Sequence, residues 1–478
     1  MIGALLGLLL AALDQTIVAT AGPFIQRDLS IDPGLYVWIT TGYLVASTVL
    51  VPIYGKLSDI YGRRRILLIA IGIFLLGSFA CGIAQSATQL ITYRAVQGIG
   101  SAGLFTSAFA IVADLFPPAE RGKWQGMFGA AWGVSSVVGP LLGGVITENL
   151  SWHWTFFVNL PIGAIAAGLI ASRMPPLRGT HETRPRLDIA GALALAVTTV
   201  PLLLALSLGH AEGTGTGTAG WPWRSWQIAA LLATSVVGLI AFVVIERRAA
   251  NPLLDFKLFR IKTFAIGSLA AFVVGNAFLG AIVFLPLFMV NVVGLSATSS
   301  GLTTTPLTFG IVAANIASGH LVSRLHSYKG VLLVSLVVQV ASFGLLALTL
   351  TTGETQLAIS VKMVLLGIGL GPSIPLFTLA IQTAVPPPQI GVATAAATFF
   401  RQMGTTIGLA ILGTVFATSL ASSGAAPGPG FAQAFTDALV NLFWVSVAIA
   451  AAGLAITAFL PNLPLRAGPP GARPPVAD

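Results

Sequence analysis

The chain alternates between long apolar runs and short polar or basic loops. A helix needs about 20 predominantly apolar residues to cross a bilayer, and fourteen runs of roughly that length occur in the sequence. Each run must be helical, because an open strand leaves backbone polar groups unsatisfied in lipid. The predicted spans are 2–23, 35–55, 65–85, 88–115, 125–147, 155–173, 187–209, 226–245, 263–290, 303–323, 330–350, 358–385, 394–418 and 440–461.

The composition agrees with this pattern. Apolar residues make up 55% of the chain and charged residues 8%, whereas a soluble domain carries about 25% charged residues. The net charge of +9 fits basic loops lying against anionic lipid, and no nucleic-acid partner is expected. Cys81 is the only cysteine, which excludes an intrachain disulfide. The fold class predicted is an all-α polytopic membrane protein.

The basic residues predict the orientation of the spans. With the N-terminus inside, 19 of the 24 lysines and arginines fall in cytoplasmic loops, and only Arg27 and Arg224 fall in outer loops. Because cytoplasmic loops carry the excess of Lys and Arg, both termini are expected on the cytoplasmic side of a cytoplasmic (inner) membrane. The first run has no basic n-region and is too long for a signal peptide, although a short leader before Met1 is left open. Arginine outnumbers lysine 18 to 6, which favours a prokaryotic source.

The chain repeats itself at an offset of 269 residues. The matching pairs are Gly98–Gly100 with Gly367–Gly369, Pro117–Pro118 with Pro386–Pro387, Gly122 with Gly391, and Gly139 with Gly408. Spans 1–6 therefore correspond to spans 9–14, and spans 7 and 8 form an inserted pair. The predicted domains are an N-terminal half (1–173), a linker with the inserted pair (174–262), a C-terminal half (263–461) and a disordered cytoplasmic tail (462–478). Parallel repeats with a cavity between them indicate transport by alternating access.

One acid lies deep within a span. Asp14 interrupts the uncharged first span within LDQTIVATAGP, and an acid at the centre of a membrane helix costs about 2.5–3.5 kcal/mol on insertion scales. Arg94 in the fourth span lies at a similar depth, about 9 Å below the outer surface against about 13 Å for Asp14. Pairing of the two, directly or through Gln97 or a water, would offset the cost of both charges. These three residues are the predicted proton-coupling site; the alternative is a permanent ion pair that never titrates.

Five motifs carry a family resemblance. They are LDQTIVATAGP (13–23), GKLSDIYGRRR (55–65), YRAVQGIGSAG (93–103), GVSSVVGPLLGG (133–144) and WHWTFFVNLPIG (152–163). Together they resemble the major facilitator superfamily, in particular its fourteen-helix drug:proton antiporter branch. The resemblance implies multidrug efflux driven by protons, with protons as the coupling ion and no other cofactor.

The second motif lies in the loop after span two. Its glycines permit a tight reversal, and Asp59 and Arg63 are spaced to form a charge-assisted pair that Asp114 can join. By the resemblance it is a latch that keeps the cytoplasmic side closed; the alternative is ordinary positive-inside charge. The predicted latch comprises Gly55, Asp59, Gly62, Arg63, Arg64 and Asp114.

Small residues mark helix five. Gly139 and Gly143 form a small-xxx-small face that permits close helix packing, and Pro140 can bend the helix. The resemblance implies an antiporter motif that seals against proton leak. Its residues are Gly133, Gly139, Pro140, Gly143 and Gly144.

Two further charges leave alternatives open. Arg401 occupies the place that Trp132 holds in the first half, about 13 Å from the cytoplasmic end of its helix. It either lines the cavity or binds an anionic group, as a possible coupling residue, or it pairs with backbone carbonyls and stiffens its half. Glu148, beside Trp152 and His153, is either a point where protons enter or a solvated loop acid.

The leading interpretation is a proton-coupled antiporter that exports lipophilic drugs or related small amphiphiles. The sequence contains no nucleotide-binding loop, metal-ligand cluster or nucleophile triad, so neither a metal nor an enzymatic activity is expected. Small lipophilic substrates and membrane lipids are the expected partners of a monomer. One alternative is a lipid or glycolipid exporter of the same fold. Another is a non-transporting sensor or scaffold, although the longest cytoplasmic loop has only about fifteen residues.

Overall fold

A computed structural model describes residues 1–31, 33–175, 187–210, 220–294, 305–423 and 430–465. Within these residues, 14 helical stretches are long and apolar enough to cross a membrane, which confirms the predicted fold class and number of spans. Most of the predicted tail, from 466 onward, lies outside the described residues.

The first six spans are formed by seven helices. Their bounds are α1 Ile2–Asp28, α2 Pro33–Tyr61, α3 Arg63–Gly82, α4 Ala87–Leu115, α5 Pro118–Asn149, α6 Trp154–Phe157 and α7 Asn159–Arg173. The inserted pair is α8 Ile189–Leu208 and α9 Trp226–Arg248. A two-residue parallel pairing of β1 (Gly209–His210) with β2 (Trp221–Pro222) lies between them.

The last six spans are likewise formed by seven helices. Their bounds are α10 Lys262–Asn291, α11 Thr305–Leu325, α12 Lys329–Thr349, α13 Gln356–Leu370, α14 Ser373–Ala384, α15 Ile390–Ser422 and α16 Phe431–Ala458. Short 3₁₀ helices at Phe256–Arg260 and Pro387–Gln389 precede α10 and α15.

Some span boundaries differ from the prediction. Span twelve is interrupted between α13 and α14, because Pro372 has no N–H to continue the helical hydrogen bonds. Helix α5 begins at Pro118 rather than at 125, with a proline in its first turn, where the missing N–H costs nothing. Hydropathy marks only the lipid-embedded part of a helix and does not detect such polar first turns.

Repeat-related glycines make equivalent contacts in the two halves. Gly100 of α4 lies against the backbone of α3, where a Cβ would stand 2.6 Å from the Ala70 carbonyl oxygen. Gly369 of α13 lies against α12 in the same way, where a Cβ would stand 2.5 Å from the Gln339 nitrogen. Each pair of helices can approach this closely only because the residue at the crossing has no side chain.

The halves meet along α5 and α11. We call the side of the protein that carries the α2–α3 loop and the start of α5 the basic face. Gly126 of α5 lies against the Asn315 carbonyl of α11 near this face, and Gly133 lies against Val312 further along. Beyond this point Gly139 and Gly143 of α5 contact α1 of their own half. The halves are therefore joined near the basic face, and the glycines further along α5 contact α1 of their own half.

The inserted pair lies against the seam between the halves. Ser235 of α9 donates a hydrogen bond to the Thr198 carbonyl of α8 at 2.7 Å. On its other side, Leu203 of α8 clusters with Val45 of α2 and Met403 of α15. Helix α8 thus contacts both halves.

Candidate functional site

The Asp14 carboxylate is the centre of a buried polar cluster. Its exposed fraction is 0%. Arg94 Nη1 donates to Asp14 Oδ2 at 2.6 Å, while Gln97 Nε2 and Asn159 Nδ2 each donate to Oδ1 at 2.8 Å. The structure therefore brings together the three residues of the predicted coupling site, and the pairing is both direct and bridged by Gln97. It adds one residue, Asn159, from a third helix.

Arg94 has further partners that hold its guanidinium in place. Arg94 Nη1 also donates to Gln97 Oε1 at 2.7 Å, and Nε donates to the Ile39 carbonyl at 3.4 Å. The guanidinium carbon lies 4.2 Å from the ring centroid of Tyr43, a cation–π distance. One positive and one negative charge are thus neutralised within a single cluster formed by α1, α2, α4 and α7.

Arg94 has acceptors in this cluster besides Asp14. Protonation of Asp14 would remove the negative charge that Arg94 pairs with, and an unpaired cation is costly inside a membrane. The Gln97 Oε1 and Ile39 carbonyl acceptors already lie within reach of the guanidinium, so they can retain it when Asp14 is neutral. The position of the guanidinium therefore does not depend on Asp14 alone.

Sequence reasoning missed Asn159 and Tyr43. Asn159 lies in the quoted WHWTFFVNLPIG motif, where no role was assigned to it, and its Nδ2 also donates to Ser78 Oγ at 2.9 Å. A polar amide within an apolar span is a signal for an interhelical hydrogen bond. No comparable signal distinguishes Tyr43 from other tyrosines near a membrane surface.

A second ion network lies on the basic face. Arg63 contacts Asp59 at 2.5 Å and Asp114 at 2.8 Å, and it donates to Ser58 Oγ at 2.6 Å. Asp59 is 6% and Arg63 5% exposed, so this pair is buried, while Asp114 lies at the exposed edge of the network. The predicted association of Asp59, Arg63 and Asp114 is present.

The network extends into the other half. Asp59 Oδ2 accepts a hydrogen bond from the backbone N–H of Val392, at the start of α15, at 2.9 Å. A carboxylate is favoured at this position because the first N–H groups of a helix lack internal partners. Nearby, Gln125 of α5 donates to Gln382 of α14 at 2.7 Å. These polar contacts join the halves on the basic face.

Two predicted latch residues, Gly55 and Arg64, have different roles from those expected, whereas Gly62 lies at the expected reversal. Gly62 adopts φ 91° and forms the turn between α2 and α3, whereas Gly55 lies within α2. A Cβ at Gly55 would stand 3.0 Å from the Gly391 carbonyl, so Gly55 permits close approach of α15 rather than a reversal. Arg64 donates instead to the Ala171 carbonyl of α7 and is not part of the network, because it points to a different neighbour than Arg63.

The antiporter motif of α5 packs on two different helices. Gly139 lies against Thr16 of α1, and Gly143 lies against Ile17 one residue further along. Gly133 faces Val312 of α11 in the other half. Pro140 lies within α5, and a Cβ at Gly144 would find no described atom within 4 Å. Three of the four motif glycines are thus packed against another helix, and two of these, Gly139 and Gly143, contact the helix that carries Asp14.

Comparison with known proteins identifies the family. The sequence pattern described as Major Facilitator Superfamily matches residues 4–409. The chain belongs to the major facilitator superfamily. Membership confirms the resemblance carried by the motifs, and it makes the chain a transport protein rather than an enzyme.

Two bacterial relatives share most of the chain. Multidrug resistance protein 3 of Bacillus subtilis (strain 168) is 40% identical over 416 residues, which cover 87% of this chain and 78% of the relative. Multidrug transporter protein MdtP of the same strain is 38% identical over 414 residues, covering 86% of this chain and 74% of the relative.

Solved structures of the superfamily show the same fold. The human organic anion transporter MFSD10 aligns with a TM-score of 0.67 at 17% identity, covering 94% of this chain and 98% of that one. The proton:xylose symporter XylE aligns with a TM-score of 0.67 at 14% identity, covering 96% and 95% of the two chains. At these identities the likeness concerns the fold alone.

The aromatic corner formed by Trp152 and His153 contacts a different carboxylate from Glu148. Glu148 is exposed near the end of α5, and the Trp152 indole N–H donates instead to Asp28 at 2.8 Å. The His153 ring stacks on Trp152. Partial burial lowers the pKa of His153, while the negative charge of Asp28 opposes this shift. The carboxylate that contacts this corner is therefore Asp28, from the end of α1.

Arg401 lies partly buried on α15, beside side chains of α10 and α14. It is well separated in the chain from the Asp14 cluster, which belongs entirely to the first half. For metals, the described residues contain no group of three or more His, Cys, Asp or Glu side chains that could hold an ion.

The basic-face network predicts a specific effect of Asp59→Asn. The amide cannot pair with Arg63 as an anion, and loss of a charge-assisted contact weakens closure by about tenfold. We expect the variant to insert and fold, with reduced transport. We also expect faster thiol labelling of a Thr394→Cys reporter, which is buried at the seam, in a Cys81→Ser background.

Arg65→Gln is the matched control, since Arg65 is exposed beside the network. It should change neither the labelling rate nor transport. Full transport and unchanged labelling of Asp59→Asn would show that the charge of Asp59 is not needed to hold the halves together on the basic face.

The α5 contacts predict opposite outcomes for two neighbouring glycines. Gly139→Val adds an isopropyl group against Thr16 of α1, and overpacking of this kind costs about 1–3 kcal/mol. Gly144→Val points into space without a described neighbour. We expect Gly139→Val to lower the thermal midpoint and abolish transport, while Gly144→Val keeps both. Equal tolerance of the two variants would show that the α1–α5 approach is not required.

Proposed function

We propose that this chain is a proton-coupled antiporter that exports lipophilic drugs or related small amphiphiles by alternating access. The observation that supports this most directly is the fully buried Asp14 carboxylate with its single cationic partner. An ionisable residue inside a membrane span indicates a functional site, because it is expensive to keep there.

Proton exchange at Asp14 is the proposed coupling step. When Asp14 loses its proton, it pairs with Arg94. When Asp14 gains a proton, Gln97 and the Ile39 carbonyl hold Arg94 instead. Helix α1 carries Asp14 and contacts α5 through Thr16 and Ile17. Because α5 also contacts α11, a shift of α1 is passed to the seam between the halves.

The orientation we propose places the basic face in the cytoplasm, with both termini on that side. The excess of Lys and Arg in its loops supports this assignment. The Asp59–Val392 and Gln125–Gln382 contacts then close the transporter toward the cytoplasm. Opening to the cytoplasm would require these inter-half hydrogen bonds to break.

Substrate identity is inferred from the relatives and from chemistry. Two relatives carry multidrug names, and cavities for lipophilic molecules are lined mainly by apolar and aromatic side chains. We propose small lipophiles as substrates, a monomer as the working unit, and a prokaryotic cytoplasmic membrane as the location. Export of labelled lipids but of no small lipophile would favour the lipid-exporter alternative.

Asp14→Asn is predicted to separate coupling from substrate movement. In proteoliposomes with an imposed pH gradient, the variant should fail to concentrate a lipophilic substrate, while some downhill exchange survives. The amide keeps the size and the hydrogen-bonding position of the carboxylate but cannot exchange its proton. Asp28→Asn, on the same helix but at its end, should retain gradient-driven export.

If Asp14→Asn concentrates substrate using the pH gradient alone, Asp14 is not the coupling site. If the native protein is indifferent to the gradient for every substrate in a panel of cations, neutral drugs and lipids, the proposal of proton coupling fails as a whole.

Charge selectivity gives a second prediction. Asp14 is the only acid deep within a described span, and Arg94 already pairs with it. Little negative charge is left to hold a substrate, so monovalent or neutral lipophiles should be exported in preference to dications. Efflux of a dication as efficient as that of its monovalent analogue, measured side by side in the same vesicles, would contradict this.

A further inference from the structure

Arg401 is a membrane-embedded cation with no polar partner in the described part of the chain. Among the described residues, its guanidinium forms no hydrogen bond and no ion pair, whereas Arg63, Arg94 and Lys362 are each paired with a carboxylate. Arg121, also within a span, donates to backbone carbonyls. The expectation that Arg401 pairs with carbonyls to stiffen its half is therefore not met.

The side chain lines a small space between three helices. Val274 of α10 and Ile374 and Phe377 of α14 give this space an apolar wall, and Ser373 and Thr405 add two hydroxyl groups. Both hydroxyls already donate to backbone carbonyls, of Leu370 and of Arg401 itself. Within this space the guanidinium is thus the group with free donors.

The space borders the seam between the halves. Ile374, which lines it, packs on the main apolar core of the C-terminal half and also on that of the N-terminal half. Val392, which contacts Asp59 on the basic face, is nine residues from Arg401 along α15, or about 13 Å. Arg401 therefore lies well inside the membrane at the boundary where the two halves separate.

An unpaired guanidinium in this setting favours a particular ligand. It is costly in apolar surroundings unless an anion accompanies it, and its planar fork of donors matches a carboxylate or phosphate. The apolar side chains beside it would contact the part of the ligand nearest its anionic group. The first half holds Trp132 at the repeat-related position, so the cation occurs in one half only.

We propose that Arg401 binds the anionic group of an exported amphiphile, a carboxylate, phosphate or sulfonate on an apolar body. This rests on the proposed export function and adds lipophilic anions and zwitterions to its substrate class. The Asp14 carboxylate is neutralised within its own half, so the unpaired charge beside the seam is positive. Anionic probes should therefore bind more tightly than cationic ones of the same shape.

The test uses three probes that share one apolar body: pyrenebutyrate, pyrenebutanol and a pyrenebutyl-trimethylammonium salt. Binding to the full chain in phosphatidylcholine nanodiscs is measured by energy transfer from tryptophan to pyrene. Gradient-driven efflux is measured in proteoliposomes of the same lipid. The native protein should bind the carboxylate about tenfold more tightly than the ammonium probe, as expected for one charge-assisted contact.

Arg401→Gln should weaken binding of the carboxylate by about tenfold and leave the alcohol within about twofold. Arg401→Lys keeps the charge without the bidentate fork, so its affinity for the carboxylate should lie between the two. Arg324→Gln, which removes an exposed cation on the basic face, is the matched control and should change none of the three affinities. Arg401→Gln removes an unpaired, partly buried charge. Its thermal midpoint should therefore be unchanged or raised.

Several results would overturn the proposal. An unchanged affinity for the carboxylate, or an equal loss for all three probes, would assign Arg401 a structural role. If Arg401→Gln fails to insert, Arg401→Lys is used instead: an equal loss of affinity for the carboxylate and ammonium probes in that variant would likewise assign Arg401 a structural role. If phosphatidylglycerol in the nanodiscs abolishes the native preference and Arg401→Gln removes that lipid effect, the ligand is a lipid headgroup.

Failure of the export proposal would look different. The native protein would then move none of the probes under a pH gradient, yet its binding of pyrenebutyrate would still depend on Arg401.

Discussion

The ion pair between Asp14 and Arg94 constrains the whole N-terminal half. Helices in lipid gain little from hydrophobic contact with one another, so close packing and interhelical hydrogen bonds decide how they associate. The buried carboxylate collects donors from α4 and α7, which fixes the relative depth of three helices. Glycines make this possible: a Cβ at Gly77 would stand 2.7 Å from the Gln97 Cα, so α3 and α4 approach closely enough to seat Gln97 beneath Asp14. Removing any one donor would leave charge or a polar atom unpaired where water cannot replace it.

The same helices connect this cluster to the seam between the halves. Helix α1 carries Asp14 and contacts α5 at Gly139 and Gly143, while Gly126 and Gly133 of α5 contact α11. Gly143 and Gly126 lie against the backbone carbonyls of Ile17 and Asn315, whereas Gly139 and Gly133 lie against the side chains of Thr16 and Val312. Close contacts thus connect the helix that carries Asp14, through α5, to the interface with the other half.

The two halves share a repeat but divide their charges unequally. The N-terminal half pairs its deep acid with its own cation and supplies the acids of the basic-face network. The corresponding loop of the C-terminal half, GHLVSR at 319–324, has no acid. In the C-terminal half, the backbone N–H of Val392 at the start of α15 donates a hydrogen bond to Asp59. This half also supplies the unpaired guanidinium of Arg401, so the polar chemistry of the two sides is complementary rather than duplicated.

The sequence by itself determined the fourteen spans, the repeat and the depth match of Asp14 with Arg94. These follow from hydropathy, residue spacing and a fixed rise per residue, which are properties of one helix at a time. Only the tertiary structure decided that Asn159 completes the Asp14 cluster, that Arg64 turns to α7, that Gly55 admits α15, and that Val392 binds Asp59. Each of these depends on how a helix is rotated about its axis and which neighbour it faces. That rotation is set by packing between segments up to 333 residues apart, and no local pattern in the chain records it.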